Sequence, residues 1–262
     1  MRPPCLQVHL LPDFVTPPQL QGGVAVMIDV LRASTTMIYA LNAGADCIIP
    51  CLHTDQAKSI AAQCPSSSFL LGGERYGKKI TGFHLGNSPQ EYKKDLCSQK
   101  RIIFTSTNGT RNLDRIHHAE SVLIGSFANL NSLCKVLADD SRTIHLVCSG
   151  TNNQITLEDT LFAGAVIAQL MNRHRTFSMN DQARMAWASY QMHKHRIRAA
   201  LFESLGAKSL LELGMHQDIE TAAQVDTLSI VPELRNNSHI VNPASPSVLS
   251  TEFLFNHGAQ HE

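Results

Sequence analysis

The residues most able to do chemistry follow the apolar, β-branched run at 24–28 (VAVMI): Asp29, then Arg32, Ser34 and Thr35. Such a run reads as a buried strand. The hydroxyl residues after it suit the start of a helix reaching to about 43. An acid, a guanidinium and a helix N-terminus therefore share one strand end, where open α/β sheets place their ligands and anions are favoured. The pattern recurs. Thr107, Asn108, Gly109, Thr110 and Arg111 follow a strand at 101–105, Ser126 follows one at 121–124, and Ser149, Gly150 and Thr151 follow one at 143–148. Turns favour such residues in any case. Four of these ends on one sheet edge predict a phosphate or carboxylate site, because small side chains and free amides let an anion approach closely.

Further acids stand at Glu74 in GGER and at Glu158 and Asp159 in TLEDT. Magnesium takes one or two carboxylates and leaves its other positions to water and phosphate oxygens. Simpler roles compete for each: helix-start electrostatics with a Thr156–Asp159 capping box, a salt bridge for Glu74, a turn for Asp29. Arg32 and Arg111 lie just past strand ends, which suits bidentate binding of an acidic group. Asn87 and Ser88 precede Pro89, with Ser88 read as a helix cap. No phosphate-binding P-loop, no dinucleotide fingerprint and no G-x-S-x-G elbow is present. The thirteen histidines show no zinc spacing and read as surface residues.

The elements that must position these groups alternate strand and helix over the first two-thirds of the chain. Strands are expected at 6–11, 24–28, 47–50, 69–71, 101–105, 121–124 and 143–148, with 75–87 a loop. A buried helix is expected at 157–172, mostly helical chain at 180–225, and a possible last strand at 228–231. This predicts an α/β protein, layered α/β/α on a mixed sheet with a helix-rich C-terminal third. Residues 1–238 read as one domain, with two lobes as an alternative, and 239–262 as a loosely held tail. Zero net charge at 262 residues leaves no basic field for nucleic acid, and no apolar run approaches a membrane span. Seven cysteines without a CxxC pair suit a reduced, cytoplasmic protein. A homo-oligomer is possible.

Several blocks resemble one known family: IDVLRASTT (28–36), GGER with GFHLGNSPQEY (72–92), TSTNGTR (105–111), LIGSFAN (123–129), CSGTNN with LEDTLFAGA (148–165), and ALFESLG and DIETAAQVD further on. The family is that of the magnesium-dependent 2-phosphosulfolactate phosphatases and their bacterial relatives. His84 stands where that family usually has aspartate, and Asn153 where glycine is common. The resemblance implies hydrolysis of a small anionic phosphate ester of a 2-hydroxy acid, giving sulfolactate and phosphate, with Mg2+. On this reading Asp29 either binds the metal or attacks phosphorus, and Glu74 and Glu158 serve as ligand and general acid or base. Asp29, Glu74 and Asp159 would form the metal set. Arg32, Ser34, Thr35, Asn87, Ser88, Thr107–Arg111, Ser126 and Ser149–Thr151 would hold the substrate. The alternatives are an isomerase or transferase on a phosphorylated acid, and a non-catalytic phosphometabolite-binding protein.

Overall fold

The computed structural model describes residues 4–173 and 176–244. Along the first half run β1 (Cys5–His9), α1 (Pro17–Leu20), β2 (Val24–Ile28), α2 (Ala33–Asn42), β3 (Cys47–Pro50), α3 (Thr54–Ala62), β4 (Phe69–Arg75), β5 (Lys78–Lys79) and α4 (Lys94–Cys97). Then come β6 (Arg101–Thr105), α5 (Gly109–Ile116), β7 (Ser121–Gly125), α6 (Leu130–Asp139), β8 (Ile144–Cys148) and α7 (Leu157–Asn172). The last third holds β9 (Ser178–Met179), α8 (Asp181–His193), α9 (Ile197–Phe202), α10 (Leu205–Glu212), α11 (His216–Ala222), β10 (Glu233–Arg235) and β11 (His239–Val241).

All eleven described strands join one sheet, in the order β5-β4-β6-β3-β11-β10-β7-β2-β8-β1-β9. Strand residues alternate between its faces. Val24, Val26 and Ile28 of β2 enter one apolar core with α6, α7 and the C-terminal helices, while Ala25 and Met27 enter another with α2 and α5. Side chains of α8 to α11, among them Ala186, Leu201, Leu210 and Ile219, lie in the first of these cores. The fold is α/β, in three layers on a mixed sheet.

Two sequence expectations change here. The stretch 228–231 forms no strand. Instead β10 and β11 make a hairpin closed by Asn236 and Asn237, both at positive φ (51° and 52°), which asparagine tolerates better than most residues. Residues 239–241 are therefore sheet rather than tail, with Ile240 fully buried. The expected loop at 75–87 likewise contains β5, paired antiparallel to β4. The histidines are not all on the surface. His9 and His145 stack in the interior, Nε2 of one 3.1 Å from Nδ1 of the other, and burial pushes both below the usual imidazole range.

The hairpin also decides how the strand ends are arranged. β7, β2, β8, β1 and β9 run parallel, as do β3, β6 and β4. Between them stand three antiparallel pairings: β7 with β10, β10 with β11, and β11 with β3. An odd number of reversals makes the two half-sheets run in opposite directions, so the polar ends do not share one parallel edge. Twist of about 20–25° per step turns that opposition toward a crossing. The chain passes between halves twice, from β2 through α2 to β3 and from β6 through α5 to β7. These two helices start at the polar strand ends and touch each other.

Candidate active site

Register sets the first row of site residues. Ile28 pairs with Gly125 on one side and Cys148 on the other, so Asp29, Ser126 and Ser149 come next on adjacent strands. In the opposite half Gly73 pairs with Thr105, which puts Glu74 beside Ser106. Gly73 is required there: at φ 140° a Cβ would lie 2.0 Å from the Thr105 carbonyl oxygen.

Asp29 is held by its own turn. Its amide donates to Ser34 Oγ at 3.1 Å, Ser34 Oγ donates to the Asp29 carbonyl at 2.7 Å, and Thr35 Oγ1 donates to the Val30 carbonyl at 2.9 Å. Carboxylate oxygen Oδ1 accepts from the Ala33 amide at 3.1 Å. Oδ2 points at Gly109, where a Cβ would come within 2.8 Å of it. The second half-sheet thus delivers the start of α5 directly onto the acid of the first.

Glu74 accepts from the Thr107 amide at 2.7 Å and the Gly77 amide at 2.8 Å, which ties its hairpin to the β6–α5 turn. Asp159 accepts from the Val30 amide at 2.9 Å and the Gly150 amide at 3.0 Å. It staples the ends of β2 and β8 together rather than capping α7, and Thr156 makes no side-chain cap bond either. Glu158 faces Gly206, where a Cβ would lie 2.0 Å from its Oε1, and its Oε2 is buried without a partner. Among the described residues no three His, Cys, Asp or Glu side chains stand close enough to hold an ion together. The structure does not gather Asp29, Glu74 and Asp159 into one such cluster; each oxygen of Glu74 and Asp159 accepts one amide. Asp29 Oδ2 and Glu158 Oε2 accept no hydrogen bond.

Charge in this region is unbalanced. Burial pushes Asp29 up to about 7; Glu74 and Glu158 add to the rise, while the Ala33 amide and Arg32 oppose it. Burial raises Glu158 as well, and burial with the charges of Glu158 and Asp29 raises Asp159 well above the usual carboxylate range. Acids crowded out of water in this way favour any cation that can join them.

In front of the row opens a cleft of about 510 Å3, lined by His53, Arg75, Thr107, Asn108, Arg111 and Ser149 among others. Arg75 is fixed by the Glu74 and Leu52 carbonyls and Thr105 Oγ1, at 2.8–2.9 Å. Arg111 is exposed, on the first turn of α5, and Thr107 Oγ1 has no partner. Asp29 does not line that cleft; its Oδ2 lies against Gly109, next in sequence to Asn108 of the cleft wall.

The expected substrate residues therefore divide. Thr107, Asn108, Arg111 and Ser149 line the cleft, and Gly109 packs on Asp29. Asn87 is buried with Oδ1 unpartnered, its carbonyl accepting from Thr36 Oγ1 at 2.9 Å. Others are occupied elsewhere. Ser34 and Thr35 spend their hydroxyls on the turn, Thr110 Oγ1 donates to the Ser106 carbonyl at 2.8 Å, and Ser126 is fully buried. The Gly150 amide goes to Asp159, and the Thr151 amide closes a turn on the Gln154 carbonyl. Ser88 caps nothing; it donates to Asp218 at 2.5 Å. Arg32, 4% exposed, donates to Asp218 at 2.6 Å and to the Gly77 carbonyl at 2.8 Å. His84 Nδ1 accepts from the Leu71 amide at 2.9 Å, a bond within the strand framework. Sequence reasoning gave Asp218 no site role, although it opens the DIETAAQVD block, and left His53 and Ser106 out of the site.

An α/β fold with a cluster of buried acids at its strand ends, beside a cleft lined by Arg75, Arg111, Arg115 and hydroxyl side chains, fits a class: enzymes that work on small phosphorylated anions. Within it the match is specific. The family model for 2-phosphosulpholactate phosphatase covers residues 9–237, and the chain belongs to that family. A probable 2-phosphosulfolactate phosphatase of Symbiobacterium thermophilum is 39% identical over 214 residues, covering 82% of this chain and 92% of the relative. Relatives with the same description from Prochlorococcus marinus strain MIT 9303 and Thermotoga petrophila are each 37% identical, covering 86% and 83% of this chain and 93% and 91% of their own lengths. Membership of this phosphatase family is consistent with metal assistance, and no relative's description specifies an ion. Among the described residues no helix is long and apolar enough to cross a membrane.

Proposed function

We propose that this chain is a phosphoric monoester hydrolase that converts 2-phosphosulfolactate to sulfolactate and phosphate with the help of Mg2+ in the cytoplasm. The observation that carries the reading is Asp29 Oδ2, a carboxylate oxygen that accepts no hydrogen bond on a residue only 7% exposed, set against Gly109 at the start of α5. Its substrate would bring phosphate, carboxylate and sulfonate, and Arg111 with the Thr107–Asn108 turn offers donors for such groups. Asp29 and Glu158 would hold the ion, since theirs are the open oxygens in a site short of positive charge. A bound magnesium would offset charge developing on the phosphoryl oxygens. Hydrolysis forms one P–O bond from water and breaks the ester P–O bond, and the released alkoxide takes a proton. Burial and the neighbouring acids raise Asp29 to about 7 in the absence of a cation, a cost that a bound ion would relieve. Glu74 fixes the turn that receives the substrate. All seven cysteines are free, which suits a reducing compartment.

The test is phosphate release from 2-phosphosulfolactate and 2-phospholactate, with Mg2+ and with EDTA, by the wild-type chain and Asp29→Asn. Mg2+-dependent release that prefers the sulfonated ester and falls by about 1,000-fold or more in the variant is expected. Near-normal turnover by a folded Asp29→Asn would remove Asp29 from the reaction.

A further inference from the structure

We infer that Asp218 is a positioning residue, and that it makes Arg32 an internal strut of the site instead of a ligand for the substrate. This rests on the proposed activity, and extends it to the role of the C-terminal helices. Arg32 lies where a phosphate-binding arginine would be sought, three residues past Asp29 at the β2–α2 turn. Both of its terminal nitrogens already have partners. Nη1 donates to Asp218 Oδ2 at 2.6 Å and lies 2.9 Å from Met215 Sδ, and Nη2 donates to the Gly77 carbonyl at 2.8 Å. The two side chains of the ion pair are 3% and 4% exposed. A guanidinium neutralised and enclosed in this way has little charge left to offer an incoming anion.

What the pair does is mechanical. Gly77, whose carbonyl Arg32 holds, is the residue whose amide binds Glu74 Oε2 at 2.8 Å. The other oxygen of Asp218 accepts from Ser88 Oγ at 2.5 Å, next to Asn87, whose carbonyl holds Thr36 on α2. A second tie runs from Gln90 Nε2 to Thr221 Oγ1 at 3.0 Å, one turn further along α11. One carboxylate on α11 thereby fixes three segments: the turn leaving Asp29, the hairpin presenting Glu74, and the Asn87–Ser88 turn. A buried charge pair is direction-sensitive and tolerates little displacement, which suits it to setting geometry.

The test is a double-mutant cycle of Arg32→Gln and Asp218→Asn, scored by kcat and KM for 2-phosphosulfolactate and by amide hydrogen exchange. Each single variant is expected to lose kcat by about 10- to 100-fold with KM changed by less than about three-fold. The double variant should be no worse than the poorer single, because the residues act as a unit. A KM rise of about ten-fold or more in Arg32→Gln, with additive loss in the double, would show direct substrate binding and overturn the proposal. Exchange is read whatever the activity. Amides of 76–79 and 87–91 should exchange about ten-fold faster in Asp218→Asn, and unchanged protection there would also overturn it. If these variants do not fold, Ser88→Ala removes one tie alone; it should speed exchange in 87–91 and lower kcat with KM unmoved, and no change in either sinks the strut. A wild-type chain that releases no phosphate refutes the activity, while the exchange result still decides the strut.

Discussion

Two turns in this chain look alike as text and differ as chemistry. Residues 29–36 and 105–111 each leave a buried strand, pass through serines and threonines, carry an arginine and enter a helix. In the first, the turn bonds to itself. Ser34 and Thr35 hold backbone atoms at 2.7–3.1 Å and Arg32 is buried against Asp218, so what remains open is one carboxylate oxygen. In the second, Thr107 and Asn108 face the cleft and Arg111 is exposed on its wall. One turn presents an acid and the other presents donors, and Gly109 is where they meet. A hydroxyl-rich turn after a strand is therefore a position for a site; which of its groups serve the ligand depends on what else is buried beside it.

The sharpest way to break this division is at the meeting point. A Cβ on residue 109 would lie 2.6 Å from Ala33 Cβ and 2.8 Å from Asp29 Oδ2. The carboxylate can swing aside, but the Ala33 methyl is fixed to the first residue of α2. Gly109→Ala should separate the turns by a fraction of an ångström and lower kcat by about 100-fold, with the melting temperature reduced by several degrees. Activity within about three-fold of wild type would mean that the Asp29–α5 contact is not part of the reaction. Arg111→Ala tests the open turn by itself. Because Arg111 is exposed and outside the described ion pairs, stability should hardly change, while KM for 2-phosphosulfolactate should rise by about 10- to 30-fold. An unaltered KM would assign the anion to other donors.

The same contrast shows what the sequence could reveal. Strands β2, β6, β7 and β8 are runs of β-branched and other apolar residues closed by small polar ones, so their existence, the α/β class and the position of Asp29 at a strand end were legible from local pattern. The hairpin was hidden because β10 and β11 are three residues each and carry little apolar periodicity; their signal was the Asn236-Asn237 pair, a turn marker that asparagine-rich tails also contain. Missing it hid the reversal between half-sheets. The site divided along the same line. Residues that act through backbone position, such as Gly109 and Asn108, could be read from turn chemistry. Partners fixed by tertiary contact could not: Asp218 is 186 positions from Arg32, and Asp159 is 129 from Val30. Local text made Arg32 an anion ligand and Asp159 a metal ligand or a helix cap; the fold gives each a buried partner from another segment.

The closed turn gives the smallest and most diagnostic effect. In Ser34→Ala the Asp29 carbonyl keeps the Ser34 amide at 2.9 Å, but the buried Asp29 amide loses its acceptor. An unsatisfied buried amide costs about 1–3 kcal/mol, so urea unfolding should show a loss in that range. If Ser34 serves only the turn, KM should stay within about two-fold of wild type, and any fall in kcat should track the loosening of Asp29. The opposite outcome, a KM raised by about ten-fold with stability intact, would mean that this hydroxyl reaches the substrate after all. The two turns would then be working alike, and burial would have misled where sequence had not.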